Sequence, residues 1–401
     1  MKILLASDSY KFLTNGVSNV VIALAERYRI EGYDVKVLTL SDTKESFKDG
    51  DDYYISSFNF ILYPDTRQSL VRHHPYFDEI IEWKPDIIHV HTEGSIANMA
   101  RSIAKATDAP IVMTMHTDYA KYAFHDLSTV PPVKMAAKIG SMIVYRGSQV
   151  MTVPSEKARD LLRGYLPSSP IEVIPNGIKP ERFLKELSDE EKRGILQKYG
   201  LKDDSKLLII VSRISAEKNL REIIEYFPEL LEREPETRLL IAGSGPDEEH
   251  LEKLVRKLDL EGKVVFAGRV HPDEVYKYYK LGKAFLSAST FEMHSLTYLE
   301  AMMCGLPLIC RDDPCLKGVL EDGYNGYIYS TKEEFVEKTL RLLRDKNLRD
   351  QLAENSLKRS EEFSDTEFAH RMLDLYEKVI NGTLPLEESV PDTENEDGES
   401  N

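Results

Sequence analysis

The residue types best suited to chemistry concentrate in the segment STFEMHSLTYLEAMMCGLP, residues 289–307. Two carboxylates, Glu292 and Glu300, stand there with seven residues between them. Glu292 falls in a loop after an apolar run that ends near Ser287. Ser295 is placed to cap a helix running from Leu296 to about Cys304. Gly305 ends that helix, and Pro307 bars its continuation. Such a helix aims its unpaired N–H groups at whatever Glu292 touches, and helix N-termini bind phosphate. A carboxylate accepts hydrogen bonds from neighbouring hydroxyls. Phosphate beside sugar hydroxyls describes a nucleotide sugar. The same spacing also fits ordinary charges flanking a helix, so other residues must decide.

Arg213 and Lys218 supply fixed positive charge in the loop after another apolar run, 207–211. A departing diphosphate gains charge as the sugar bond breaks, and without a metal it needs cations and N–H groups around it. Gly16 opens a helical segment after the first strand, where the lack of a side chain lets backbone approach a ligand. Beside it, Asn15 is a residue that tolerates left-handed backbone. His116 ends a strand, as do His89 and His91. A pair of histidines with no carboxylate cluster is a weak metal set, so His89 and His91 read as packing and cleft-lining residues. Gly243 and Gly245 lack the third glycine of a dinucleotide fingerprint and read as a tight strand-to-helix turn. Asp312 and Asp313 read as a turn without a third oxygen ligand. No metal site is expected. Cys304, Cys310 and Cys315 match no zinc spacing and read as buried thiols of a reducing compartment.

Two sets of alternating elements must position these groups. Apolar strand runs at 2–6, 34–40, 86–91, 111–116, 149–153 and 171–175 are separated by helical segments and by an acidic, irregular stretch at 42–52. The charged segment 179–205 shows no strand pattern. Strand runs then resume at 207–211, 238–242, 264–267, 284–287 and 308–310, and the chain is helical from 331 to about 380. Such alternation implies parallel sheets covered on both faces. The fold expected is α/β, with two doubly wound, Rossmann-like domains. Ligands sit beyond the carboxyl ends of such strands, and two sheets facing each other create a cleft. The boundaries expected are a first domain at 1–178, a linker at 179–205, a second domain at 206–360, a C-terminal helix at 361–380 packing back on the first domain, and a disordered acidic tail at 381–401.

The 401-residue chain carries a net charge of −16, and seven of its acidic residues lie in that tail. This balance argues against a broad nucleic-acid interface. The first apolar run, interrupted by Asp8, reads as a strand, and a signal peptide is not expected there. No apolar stretch reaches the length of a membrane span. The expected location is the cytoplasm, with peripheral contact on the inner face of the cell membrane.

Taken together, the motifs resemble the retaining GT-B glycosyltransferases called family four. The resemblance is carried by the two-glutamate segment, VSRISAEKNL (211–220), RLLIAGSGPDEEHLEKL (238–254), VVFAGRV (264–270), VIPNGI (173–178) and NGV (15–17). It implies that Arg213 and Lys218 bind the donor diphosphate, with Leu296 and Thr297 at the helix N-terminus. It further implies that Glu292 contacts the transferred sugar, that Glu300 holds the ribose, and that the backbone near Arg269 and Val270 meets the base. The resemblance also implies that the Gly16 loop closes over the phosphate and sugar and that His116 lies beside the sugar. His116 and Glu292 are the candidate catalytic residues. Many relatives carry glycine where Ser295 stands, and His294 also departs from the pattern, which bears on sugar identity. The implied reaction is hexose transfer with retention from a nucleotide sugar, UDP-glucose or a close analogue, with no cofactor. SLTYLEAM (295–302), HTDYAKYAFH (116–125) and VPSEKARDLL (153–162) resemble bacterial diacylglycerol glucosyltransferases. A basic, amphipathic pattern at 133–146, with Lys134, Lys138 and Arg146, suits an anionic leaflet. A membrane lipid is therefore the expected acceptor, with a soluble or cell-surface glycan as the alternative. A nucleotide-sugar epimerase and a non-catalytic relative are the remaining rivals.

Overall fold

The structure is a computed structural model describing residues 1–12, 15–59, 66–116, 139, 143–145, 147–166, 169–203 and 205–384. Two parallel sheets dominate it. The first runs Ile171–Val173, Val150–Val153, Ile111–Thr114, Ile87–Val90, Lys2–Ser7, Asp34–Leu40, Asp52–Ile55 and Phe47–Asp49, and only the last strand is antiparallel. The second runs Val264–Gly268, Thr237–Ala242, Lys206–Val211, Ala284–Ser287, Leu308–Arg311 and Gly326–Tyr329, all parallel. Central strands such as Lys206–Val211 are near-continuous apolar runs because helices cover both faces. Each sheet accordingly has two buried clusters, one on either side.

In chain order the second sheet reads 3-2-1-4-5-6. The chain leaves its first strand, Lys206–Val211, toward one edge and returns as Ala284–Ser287 on the other side. A crevice opens where the order reverses, beyond the carboxyl ends of these two strands. Residues 212–218 and 288–295 occupy that place. The first sheet reverses in the same way between Lys2–Ser7 and Ile87–Val90. The two sheets present these ends to one another. Met293 of the second domain packs against the first domain's core, and the position a Gly16 Cβ would take lies 3.9 Å from Leu296 Cδ1.

The segment 179–205 holds more structure than its charge pattern suggests. Ser188 and Glu191 form a capping box that starts the helix Asp189–Lys198. Its Leu196, with Phe183 and Leu201, is buried in a cluster of the second domain. The acidic stretch near 42–52 likewise contains the strand Phe47–Asp49 and leads into Asp52–Ile55. Asp52 is 2% exposed and takes Lys11 Nζ at 2.7 Å and Arg29 Nη2 at 2.6 Å. The strand Gly326–Tyr329 extends the second sheet beyond the runs read from sequence.

The last helix, Asp365–Ile380, lies on the first domain, packing on the helix Gly16–Ile30. Arg27 holds its first residue, Asp365, by Nε at 3.2 Å and Nη2 at 2.9 and 3.1 Å. Asp365 is 2% exposed, so Asp365→Ala leaves a poorly solvated guanidinium without its carboxylate. That change should cost about 2–4 kcal/mol, read as a lower urea midpoint, while Arg27→Ala combined with it adds little. Full additivity of the two changes would refute the pairing.

Candidate functional site

Two helix N-termini meet across the cleft. In the first domain, Asn15 Oδ1 accepts from Ser18 N at 2.8 Å and Ser18 Oγ accepts from Asn15 N at 2.9 Å, a capping box. Asn15 sits in extended backbone, φ −141°, so it is present as a cap and not for left-handed geometry. Gly16 is the first helical residue. In the second domain, the helix Leu296–Met303 starts after Ser295 without a side-chain cap. The hydroxyl of Ser295 hydrogen-bonds Thr297 Oγ1 at 3.0 Å instead, which corrects the capping role expected for it. Ser295 has φ −80°, a conformation that requires no glycine. The ring of His294 packs on Phe363, and both its nitrogens are buried without a partner. Burial pushes its pKa down to about 4.

The loop 212–218 is held by glycine backbone. A Cβ on Gly243, φ +149°, would lie 1.8 Å from Ser212 O, and one on Gly245 would lie 2.1 Å from Ile214 O. This close approach lets Ser212 N and Ile214 N donate to Ala242 O and Ser244 O, both at 3.1 Å. The Gly-x-Gly turn is therefore a support for the cationic loop. Arg213 is exposed on that loop. Lys218 ends the turn Ala216–Lys218 and its Nζ donates to Glu292 Oε1 in a partly buried ion pair. Cation and carboxylate thus share one point beside the free end of the Leu296–Met303 helix.

Glu300 lies one turn further along that helix. Its carboxylate accepts from Tyr279 Oη at 2.7 Å. Burial raises its pKa to about 7, against the lowering effects of the Tyr279 hydrogen bond and the Arg182 charge. Val270 follows the strand Val264–Gly268 and packs against the cluster that holds Tyr279 and Leu299. His116 follows the strand Ile111–Thr114 in the first domain, with its Nε2 3.1 Å from His91 Nδ1. Burial lowers the His116 pKa to about 4. Both ring nitrogens of His89 are engaged, Nδ1 with Tyr376 Oη at 2.5 Å and Nε2 with Thr114 Oγ1 at 2.6 Å. That leaves His89 no lone pair for a metal. Among the described residues, Gly16 and Leu296 are brought together, as are Lys218 and Glu292. Behind them, Val270 packs on the cluster that contains Tyr279, whose hydroxyl donates to Glu300, and His116 lies in the facing domain.

One neighbour lies within the 153–162 motif but is not singled out by its sequence. Lys157, in the first domain's helix Glu156–Tyr165, reaches across to Asp313 Oδ1 and Oδ2 and to Thr290 O, each at 2.8 Å. It ties the first domain to the loop that carries Glu292. Asp313 also caps Cys315 N at 2.9 Å, so the turn read at Asp312 and Asp313 is also an interdomain contact. The three cysteines are free and buried, and burial raises their thiol pKa values. No helix among the described residues is long and apolar enough to cross a membrane. The basic segment 133–146 lies mostly outside the described residues. Of it, Ile139 is 52% and Ile143 64% exposed.

Comparison with known proteins accords with this geometry. Residues 14–182 match the model "Glycosyltransferase Family 4", and residues 191–359 match "Glycosyl transferases group 1". The alpha-monoglucosyldiacylglycerol synthase of Acholeplasma laidlawii is 28% identical over 95% of this chain and 98% of its own. The Streptococcus pneumoniae enzyme of the same name is 30% identical over 86% of this chain and 78% of its own. Among solved structures, Anabaena Alr3699/HepE in complex with UDP superposes with a TM-score of 0.73 at 17% identity, covering 94% of this chain and all of that one. Fold, motifs and whole-length similarity agree: the chain belongs to the GT-B glycosyltransferases of family four and is a transferase.

Proposed function

We propose that this protein transfers glucose, with retention of configuration and without a metal, from UDP-glucose to diacylglycerol or a glycosyl-diacylglycerol. The observation that carries the reading is the Lys218–Glu292 pair at the reversal point of the second sheet, beside the uncapped helix N-terminus at Leu296 and Thr297 and opposite Gly16. The lipid acceptor is supported by similarity to two alpha-monoglucosyldiacylglycerol synthases along most of the chain, and by the exposed Ile139 and Ile143.

On this reading the diphosphate lies between the two helix ends. Lys218, Arg213 and the N–H groups of Leu296 and Thr297 stabilise its growing charge. As phosphate draws Lys218, Glu292 becomes free to accept hydrogen bonds from the sugar. Glu300 accepts from the ribose hydroxyls, and backbone at Val270 meets the base. Neutral His116 bonds the transferred sugar. The acceptor hydroxyl attacks from the face that the diphosphate leaves, and a diphosphate oxygen takes its proton. The C–O bond to phosphate breaks as the new glycosidic bond forms, so configuration is kept.

The test is incubation of the full chain with radiolabelled UDP-glucose, diacylglycerol in anionic vesicles and a chelator. Labelled lipid is expected. Label on a soluble glycan alone, a new nucleotide sugar formed without acceptor, or a strict need for added magnesium or manganese would each contradict the reading.

A further inference from the structure

His91 is 1% exposed, follows the strand Ile87–Val90, and has no role in the account above. Its ring lies edge to edge with that of His116 and nearly coplanar with it, with centroids 5.4 Å apart and planes 17° from parallel. One hydrogen bond links them, from His91 Nδ1 to His116 Nε2 or the reverse, at 3.1 Å. The other nitrogen of His91, Nε2, is buried and has no partner. The His89 ring lies 3.8 Å from that of His91 between centroids. Burial lowers the pKa of both His91 and His116, so each ring is neutral and carries one proton.

Only two proton arrangements satisfy the pair. In one, His116 Nε2–H donates to His91 Nδ1, and the His91 proton must then sit on Nε2 as a buried donor with nothing to receive it. In the other, His91 Nδ1–H donates to His116 Nε2, and the orphan at His91 Nε2 is a lone pair. Buried N–H groups without acceptors are rarer than under-used acceptors. The second arrangement follows. It fixes the proton of His116 on Nδ1, the ring nitrogen not turned toward His91.

We propose that His91 is a positioning residue that sets the tautomer of His116, so that His116 offers its Nδ1–H as a hydrogen-bond donor to an oxygen of the transferred sugar. The proposal rests on the placement of His116 beside that sugar. The buried orphan nitrogen explains why the direction of the bond is set by the protein and is not left to the ligand. With the bond reversed, His116 would meet the sugar as an acceptor only.

Nitrogen-15 NMR of histidine-labelled protein reads the tautomer directly, and kinetics reads its consequence. His91→Asn places an amide N–H close to the former Nδ1, whereas His91→Gln places it close to Nε2. In the wild type and in His91→Asn, the His116 proton is expected on Nδ1, and kcat/KM should agree within about twofold. His91→Gln should lose about fivefold in kcat/KM, the size of one neutral hydrogen bond, and should lose nothing further in a His116→Ala background. A proton on His116 Nε2 in the wild type would overturn the proposal. So would an equal loss from His91→Gln with and without His116, which marks a merely structural role. If His116→Ala alone leaves transfer intact, it is the placement of His116 at the sugar that fails, while the NMR result still tests His91.

Discussion

Replacing Glu300 with glutamine is expected to weaken UDP binding by about tenfold to a hundredfold at pH 8 and, at the same pH, to stabilise the free protein. The first effect is the loss of one hydrogen bond to a charged acceptor, about 1.5–3 kcal/mol, since the glutamine oxygen still accepts another. The second follows from burial. The Glu300 pKa rises from 4.5 to about 7 in the folded protein. Between these values the folded state holds a proton that the unfolded chain has released, so stability falls as pH rises through that window. Above pH 7 the penalty is complete, on the order of 3 kcal/mol at most. Glutamine does not ionise and removes it. Wild-type affinity should also fall by roughly tenfold between pH 8 and pH 6 relative to Glu300→Gln, as protonation removes the acceptor. Calorimetry with UDP and thermal melts at both pH values check this. Unchanged UDP affinity in Glu300→Gln would refute the ribose role.

Lys218→Met is expected to lower kcat/KM by about 10²–10³ while the protein remains folded. A fixed cation at a developing charge contributes on this scale in a site shielded from water. Its partner Glu292 is only partly buried, so the unpaired carboxylate should cost no more than about 1–2 kcal/mol of stability. Single-turnover rates with saturating donor separate the chemical step from binding. Lys218→Arg should recover part of the rate. Loss confined to KM, with kcat unchanged, would mean that Lys218 binds the ground state and transition state equally.

The sheets and the cationic loop were legible because their signals are local. A buried parallel strand such as Lys206–Val211 is an apolar run, and the glycines that follow Thr237–Ala242, Gly243 and Gly245, mark a turn whatever the rest of the chain does. Arg213, Lys218, Glu292 and Glu300 could be singled out because each lies just beyond a strand or on the helix that follows one. The features that escaped depend on partners far away in sequence. Asp52 looks like part of a solvated acidic stretch until Lys11 and Arg29 arrive from 41 and 23 residues away. Lys157 is one basic residue among many on a surface helix until the second domain brings Asp313 to it. His89 acquires its role from Tyr376, 287 residues later. Asn15 was visible but misassigned, since its cap depends on Ser18 as much as on its own backbone. The raised pKa of Glu300 follows from burial that spacing does not reveal.

The most direct test of the central claim is the structure of the product. The full chain would be given UDP-glucose and diacylglycerol vesicles, and the lipid product's anomeric proton read by NMR. A glucosyl-diacylglycerol with the α linkage of the donor retained is expected. A β-linked product, or glucose found only on a soluble acceptor, would contradict it.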